Sequence, residues 1–127
     1  MLGTFQQSNL RIEINASQLA IADSLTQSDR LKQWMWPQSF ASLSGKLSAG
    51  DTFISSLGLI EIEHQVETID DNSLRLILSK GIDGFHQWHW GEGWIQSRIE
   101  GISLLPLNFG QTFSLFRLRQ YLNSNPE

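Results

Sequence analysis

Two histidines, His64 and His86, are the residues of this sequence best suited to chemistry inside a protein core. His64 shares its strand parity with Ile62 and Val66, which alternate with acidic and amide side chains. His86 shares the parity of Trp88, so both imidazoles are expected to face inward. A neutral imidazole there could hydrogen-bond a ligand carbonyl or hydroxyl, or act as a general base. The alternative is a buried histidine whose polar atoms are satisfied by a backbone or hydroxyl partner.

Other catalytic or metal-binding sets are not supported by the pattern. His86 and His89, with Glu92 beyond them, suggest a metal cluster on paper, but positions 86 and 89 of a strand point to opposite faces. The absence of cysteine excludes thiolate metal sites, disulfides and cysteine nucleophiles. The serines lie in no Gly-x-Ser-x-Gly elbow, and segment 81–84 lacks the strand-to-helix context of a phosphate loop. We therefore expect no metal, no cofactor and no assigned catalytic residue.

Aromatic side chains are the second signal. The chain has five tryptophans and seven phenylalanines against one tyrosine. We expect an apolar pocket walled by Phe53, Ile62, Leu76, Trp88, Trp90, Phe109, Phe113 and Phe116, with Trp34 or Trp36 at its mouth. Ligand pockets are mostly apolar with a few polar anchors, which His64 or His86 would supply. The alternative is that these rings fill the core and leave the pocket small or collapsed.

The first elements that must position these residues are a strand and two short helices. Alternation predicts a strand over 10–14. Ser17 is expected to cap a helix over 18–25 that presents Leu19, Ala22 and Leu25 on one face. A second helix is expected from about position 28 to the residue before Pro37, because the residue before a proline avoids the helical region.

The middle of the chain predicts an antiparallel meander. Strand-like segments over 52–57, 59–69, 74–80, 85–90 and 94–105 are separated by turn residues at intervals of roughly ten. The glutamates of 61–67 alternate with apolar residues, which is typical of a solvated outer face rather than of paired catalytic carboxylates. In the last segment the side with Ile95, Ser97 and Ile99 is expected to face inward, which leaves Arg98 and Glu100 exposed.

The C-terminal segment predicts a long helix over 109–123, with Asn108 as its cap. At 100° per residue Phe109, Phe113 and Phe116 form one stripe, and Leu115, Leu118 and Leu122 lie nearly opposite. Such a helix either is buried on two faces or covers a cavity with one face and packs with the other.

Length and charge limit the class of protein. The 127 residues are about one domain by the usual prior, over 1–127. The net charge of −4 and the pI near 5.3 argue against binding to nucleic acid or to anionic membranes. Residues 1–8 show no secretory signal, and no apolar run is long enough for a membrane span. We expect a cytoplasmic protein, monomeric or weakly homodimeric.

Three segments carry a resemblance to a known superfamily. They are Leu-Thr-Gln-Ser-Asp-Arg-Leu-Lys-Gln-Trp at 25–34, Ala-Gly-Asp-Thr-Phe at 49–53 and Phe-Arg-Leu-Arg-Gln-Tyr-Leu at 116–122. Together with the element order they resemble the START-like or helix-grip fold of the SRPBCC superfamily, which includes polyketide cyclases, aromatases and lipid-transfer domains. The resemblance implies an α+β fold in the order β-α-α-β-meander-α. A curved antiparallel sheet of about six or seven strands would wrap around the C-terminal helix and leave an internal cavity.

Three functions remain open at this stage. The first is the binding of a small hydrophobic molecule, such as a lipid, quinone or polyketide, between the sheet and the C-terminal helix. The second is a cyclase or aromatase-type enzyme that uses an inward histidine, although few inward polar residues are expected. The third is a protein-interaction module that uses exposed aromatics such as Trp36, Phe85 or Trp94.

Overall fold

A computed structural model describes residues 3–35, 38–41 and 43–124. The elements are the strands and helices β1 (Thr4–Glu13), α1 (Gln18–Thr26), α2 (Ser28–Trp34), β2 (Ser39–Ala41), β3 (Thr52–Leu57), β4 (Ile60–Ile69), β5 (Ser73–Lys80), β6 (Ile82–Gly91), β7 (Trp94–Ser103) and α3 (Leu107–Ser124). The strands form one antiparallel sheet in the order β1-β7-β6-β5-β4-β3-β2. The sheet is curved and unclosed, and α3 lies on its concave face. The predicted α+β helix-grip architecture is therefore confirmed.

A pair of glycines allows an unusually close approach of two strands. Gly84 of β6 pairs with Gly101 of β7. A Cβ atom on Gly84 would lie 1.9 Å from the carbonyl oxygen of Glu100, and one on Gly101 would lie 2.7 Å from that of Asp83. Glycine in a strand interior marks such close approaches and bends, because it has no side chain to collide. The backbones of β6 and β7 can adopt this geometry only without side chains at both positions.

The first helix begins as predicted but buries only part of the predicted face. The Ser17 hydroxyl accepts a hydrogen bond from the Ala20 amide at 3.1 Å, which confirms the N-cap. Leu25 is buried as expected, but Leu19 is 69% exposed, and Ile21 and Ser24 are buried instead. The buried face is rotated because α1 packs on both α2 and β6. The Trp34 indole of α2 donates to the Ser24 carbonyl at 2.8 Å and joins the two helices.

The long helix also begins earlier than predicted, and Asn108 is not its cap. Leu107 is already helical, and its amide donates to Oε1 of Gln6 in β1 at 3.0 Å. Asn108 lies in the first turn, where its side-chain amide donates to the Ser8 hydroxyl at 2.7 Å. The start of α3 is therefore fixed by side chains of the edge strand β1 rather than by a local cap.

The two stripes of α3 have different surroundings. Its buried stripe consists of Leu107, Gln111, Leu115, Leu118 and Leu122. The phenylalanine stripe is largely solvent-facing, with Phe109 71%, Phe113 42% and Phe116 55% exposed. Of the two expected arrangements, α3 therefore packs on the sheet and the short helices with its leucine side. Only part of the phenylalanine stripe reaches a cavity.

Candidate functional site

A cavity of about 490 Å³ lies between the concave face of the sheet and the first half of α3. This volume falls in the range of small-molecule pockets. Apolar side chains from α2, from strands β3 to β7 and from α3 form most of its wall. Six polar uncharged side chains line it among the described residues: Gln38, Ser55, His64, His86, Gln111 and Ser114. Arg117 of α3 is the charged side chain that lines it in the same part of the chain.

Most of the predicted pocket residues line this cavity. They are Phe53, Ile62, His64, Leu76, His86, Trp88, Phe109 and Phe113. The parity rule placed the strand residues correctly, because every one of them lies on the concave face. Whether these residues contact a ligand stays a prediction.

Two predicted pocket residues lie outside the cavity. Trp90 is fully buried, but it lies at the end of β6 beside the β6–β7 turn and not in the cavity wall. Phe116 is on the solvent side of α3, because the leucine stripe of the helix takes the contact with the core. Trp34 is buried in the cavity wall rather than at an open mouth, and Trp36 lies outside the described residues.

The remaining parity predictions for β7 hold for every residue except Glu100. Ile95, Ser97 and Ile99 are buried, so the expected side of β7 faces inward. Arg98 is exposed as expected, but Glu100 is only 18% exposed in its side chain, because Gln7 of β1 covers it and donates to its carboxylate.

Two aromatic rings lie on the convex face of the sheet. The Arg75 guanidinium carbon lies 4.1 Å from the ring centroid of Phe85. The guanidinium carbon of Arg11 is 4.5 Å from the ring centroid of Trp94. Cations over ring faces are attracted by the ring quadrupole, so these aromatics are partnered on the outer face.

His86 ends a chain of buried and partly buried hydrogen bonds that includes Gln111 of α3. Its Nε2 lies 2.7 Å from the Ser97 hydroxyl of β7. The Gln111 side-chain amide, which is buried in α3, donates to that hydroxyl and to the Ser97 carbonyl, each at 2.9 Å. The Ser8 hydroxyl of β1 donates to the carbonyl oxygen of the same amide. The ring of His86 also packs on Trp88, with centroids 4.5 Å apart.

His64 has the same kind of partner on the other side of the cavity. Its Nε2 lies 2.9 Å from the Ser55 hydroxyl of β3, and its ring stacks on Phe53 with centroids 4.5 Å apart and an interplanar angle of 6°. Its Nδ1 is buried and has no hydrogen-bond partner among the described residues. Each histidine thus has a serine of the neighbouring strand as its hydrogen-bond partner. In the strand register this serine lies diagonally opposite the histidine.

Burial keeps both imidazoles uncharged. Desolvation lowers the pKa of His64 from 6.5 to about 4. Desolvation, with a smaller contribution from the charge that His64 would carry, lowers the pKa of His86 to about 3. A base with so low a pKa removes protons poorly at neutral pH. The low pKa values and the serine partner of each ring favour hydrogen bonding over general base catalysis.

The serines and the glutamine are the site residues that sequence reasoning missed. Ser55 shares the inward parity of Phe53, and Ser97 shares that of Ile95 and Ile99, but parity alone does not identify a hydrogen-bond partner. Gln111 is the polar member of the leucine stripe of α3, at positions 107, 111, 115, 118 and 122. A polar residue in an otherwise apolar helical stripe was the signal available for it.

Exposed apolar side chains surround the outer end of the cavity. We call this set the apolar rim: Leu57, Leu59, Ile60, Phe109 and Phe113. Four of its members also line the cavity, and Leu59 lies in the β3–β4 turn between Leu57 and Ile60. The rim therefore continues the apolar wall to the protein surface.

The described part of the chain has neither a metal-binding cluster nor a membrane-spanning helix. No group of three or more histidine, aspartate or glutamate side chains there is arranged to hold a metal ion. The sequence suggested His86 and His89 as members of one metal cluster. His86 lines the cavity, whereas His89 does not. In residues 3–35, 38–41 and 43–124 no helix is both long and apolar enough to cross a bilayer.

The arrangement of the elements shows the fold. The chain has a helix-grip fold, as the resemblance to the SRPBCC/START-like superfamily implied. No protein-family model matches the sequence, and no curated protein matches it either.

Solved structures match along nearly the whole chain. The Aha1 dimer from Colwellia psychrerythraea is similar, with a TM-score of 0.67, 20% identity, and coverage of 92% of this chain and 96% of that one. Major latex-like protein 151 from Panax ginseng has a TM-score of 0.69 and 9% identity, with 98% and 99% of the two chains covered. DynU16, from the dynemicin biosynthetic locus, has a TM-score of 0.71 and 15% identity over 94% of this chain and 48% of that chain. At these identities the likeness is one of fold.

Proposed function

We propose that this protein binds a small hydrophobic molecule in the cavity between its sheet and α3. The observation that carries the proposal is the cavity itself, because about 490 Å³ of space is enclosed by a largely apolar wall. Burial of apolar surface contributes roughly 25 cal/mol per Å², so such a wall favours an apolar ligand. The structural similarity to a major latex-like protein and to a protein of the dynemicin locus fits a fold that encloses such a space.

The cavity and the pKa values of its histidines distinguish this proposal from the two alternatives. An interaction module would need its exposed aromatics but no internal space, and here the apolar rim leads into a cavity. An enzyme of the cyclase type would need an effective acid–base group, and burial holds the pKa of both cavity histidines far below neutral pH. Ligand binding requires neither a strong base nor a partner protein.

The test is a titration with N-phenyl-1-naphthylamine, a neutral apolar probe whose fluorescence rises in apolar surroundings. We expect saturable binding of one probe per chain. Ser114 of α3 lines the cavity, so Ser114→Phe should fill part of the space and weaken binding. Thr112 is exposed on the same helix and does not line the cavity, so Thr112→Phe is the matched control.

Two results would contradict the proposal. One is the absence of saturable binding by the unmodified protein. The other is equal binding by both variants, which would place the probe on the outer surface of α3 rather than in the cavity. Circular dichroism of both variants verifies that each retains its helices.

A further inference from the structure

We propose that His86 presents its Nδ1–H to the cavity as a hydrogen-bond donor, and that the protein therefore selects apolar molecules bearing an uncharged carbonyl oxygen. The inference rests on the proposed function, because it names the chemical class of the molecule that the cavity holds. It depends on the direction in which each hydrogen bond of the buried chain runs.

The direction is fixed first at Gln111. The Ser97 backbone carbonyl can only accept, so the group 2.9 Å from it must be the NH₂ of the Gln111 amide. The other end of that amide is then its oxygen, which accepts from the Ser8 hydroxyl. The same NH₂ lies 2.9 Å from the Ser97 hydroxyl, which therefore accepts a hydrogen bond there.

The proton of the Ser97 hydroxyl is thereby directed at His86. Within the described residues the Ser97 hydroxyl lies within hydrogen-bond distance of the Gln111 NH₂, which can only donate, and of His86 Nε2, so its own proton has the imidazole nitrogen as its acceptor, at 2.7 Å. A neutral imidazole whose Nε2 accepts carries its proton on Nδ1. No hydrogen bond of that nitrogen is found within the described residues, and the side chain of His86, which is partly exposed, lines the cavity. The chain of hydrogen bonds therefore ends in a donor without an acceptor from the protein.

His64 supplies a second, independent sign of the same preference. Within the described residues, the hydroxyl of the fully buried Ser55 has His64 Nε2 as its hydrogen-bond partner. A buried hydroxyl keeps its proton unpaired unless it donates, and this nitrogen is the acceptor within its reach, so we infer that the hydroxyl donates and that the proton of His64 lies on Nδ1. This Nδ1 is buried and unpartnered in the same part of the chain. A buried donor without a hydrogen-bond partner destabilises the protein. An acceptor atom that enters the cavity therefore lowers the free energy by forming a hydrogen bond with one of these rings.

The two donors distinguish between ligand classes. A carbonyl oxygen accepts and has no proton of its own to satisfy. An alcohol also accepts, but its hydroxyl proton would face donors and stay unpaired, which carries a desolvation penalty. A carboxylate would place a net charge beside two uncharged rings, which cannot neutralise it, so these two donors favour an uncharged acceptor.

Two naphthalene derivatives of similar shape test the preference by competition with N-phenyl-1-naphthylamine. Methyl 2-naphthyl ketone bears the carbonyl, and 2-isopropylnaphthalene replaces it by a hydrocarbon group. We expect His86→Phe to reduce the ketone-to-hydrocarbon affinity ratio by about fivefold to tenfold, as for one lost hydrogen bond of ordinary net strength. His89 does not line the cavity, so His89→Phe should leave the ratio unchanged.

A second measurement needs no substitution. Two-bond ¹H–¹⁵N correlation spectra of histidine-labelled protein distinguish the Nδ1–H tautomer from the Nε2–H tautomer. We expect Nδ1–H for His86, and a change in its signals on addition of the ketone but not of the hydrocarbon. An Nε2–H tautomer, or an affinity ratio equal in the unmodified protein and in a folded His86→Phe variant, overturns the inference. If neither compound displaces the probe and the probe itself does not bind, the proposed function fails and the inference fails with it.

Discussion

The buried histidines predict a loss of stability in mildly acidic solution. In the unfolded chain an imidazole takes up its proton near the ordinary pKa of 6.5, but burial lowers the pKa of His64 to about 4 and that of His86 to about 3. As the pH falls through 6.5, the unfolded state gains two protons that the folded state does not bind. The free energy of unfolding must therefore decrease, and the decrease continues until the pH reaches the lower, folded-state pKa values.

The magnitude follows from these pKa values. At pH 5 an unfolded histidine of pKa 6.5 is almost fully protonated, whereas both rings are still neutral in the folded protein. Each ring then costs about 2 kcal/mol relative to pH 7.5, or about 4 kcal/mol for the two. Small domains have a total stability of about 5–15 kcal/mol, so the effect is large. Ordinary carboxylates titrate at lower pH and add little to this window.

Urea unfolding followed by tryptophan fluorescence measures the effect at several pH values between 5 and 7.5. His86→Gln should remove about half of the pH dependence, and the double variant with His64→Gln should remove most of it. His89→Gln is the control, because this residue lies outside the cavity, and it should retain the full dependence. A free energy of unfolding that is constant over this pH range, or a double variant with the full slope, would refute the assignment of two neutral buried imidazoles.

Three further predictions concern the fold, and thermal or urea unfolding tests each of them. Gly84→Ala should destabilise the protein by about 1–3 kcal/mol, because its Cβ would collide with backbone. The Cβ of Gly110→Ala would meet no atom within 4 Å, so this substitution should stabilise the protein by up to about 1 kcal/mol. Equal effects of the two substitutions would contradict the steric argument. Leu118→Ala should lower the stability by about 2–5 kcal/mol because the side chain is fully buried. Phe116→Ala should change the stability by less than about 0.5 kcal/mol. A larger loss for Phe116→Ala than for Leu118→Ala would mean that the phenylalanine stripe, and not the leucine stripe, is the buried face of α3. Ser17→Ala should cost about 1 kcal/mol through loss of the cap on α1, and Ser17→Asp should restore stability, so a failure of rescue would argue against a capping role.

Strand parity made much of the site predictable from the sequence. A side chain on a half-buried strand has only two directions available, and the apolar partners of His64 and His86 identify the inner one. The same rule placed Ser97 on the buried side of β7, where it is fully buried. It did not identify Ser97 as the partner of His86, because that contact depends on the register between β6 and β7.

The helices were less predictable because their apolar residues do not occupy one face. In α3 both the phenylalanines and the leucines recur at helical spacing, and periodicity alone cannot decide which stripe is buried. The choice is made by tertiary contacts, including that of Gln111 with Ser8 of β1 and Ser97 of β7. The start of the helix is likewise set by Gln6, which is about a hundred residues distant along the chain. Local capping rules contain no information on such a partner.

The paired glycines of β6 and β7 would make the capacity of the proposed binding site depend on residues that no ligand need touch. Gly84 lies two positions before His86 on β6, and at its pair with Gly101 the backbones of β6 and β7 approach closely. A side chain at either glycine would collide with the other strand, so the strands would have to separate beside the imidazole, with every wall residue unchanged. Under the proposed function, the size of the accepted molecule and the position of its polar group are therefore coupled, and a substitution at either glycine should change both.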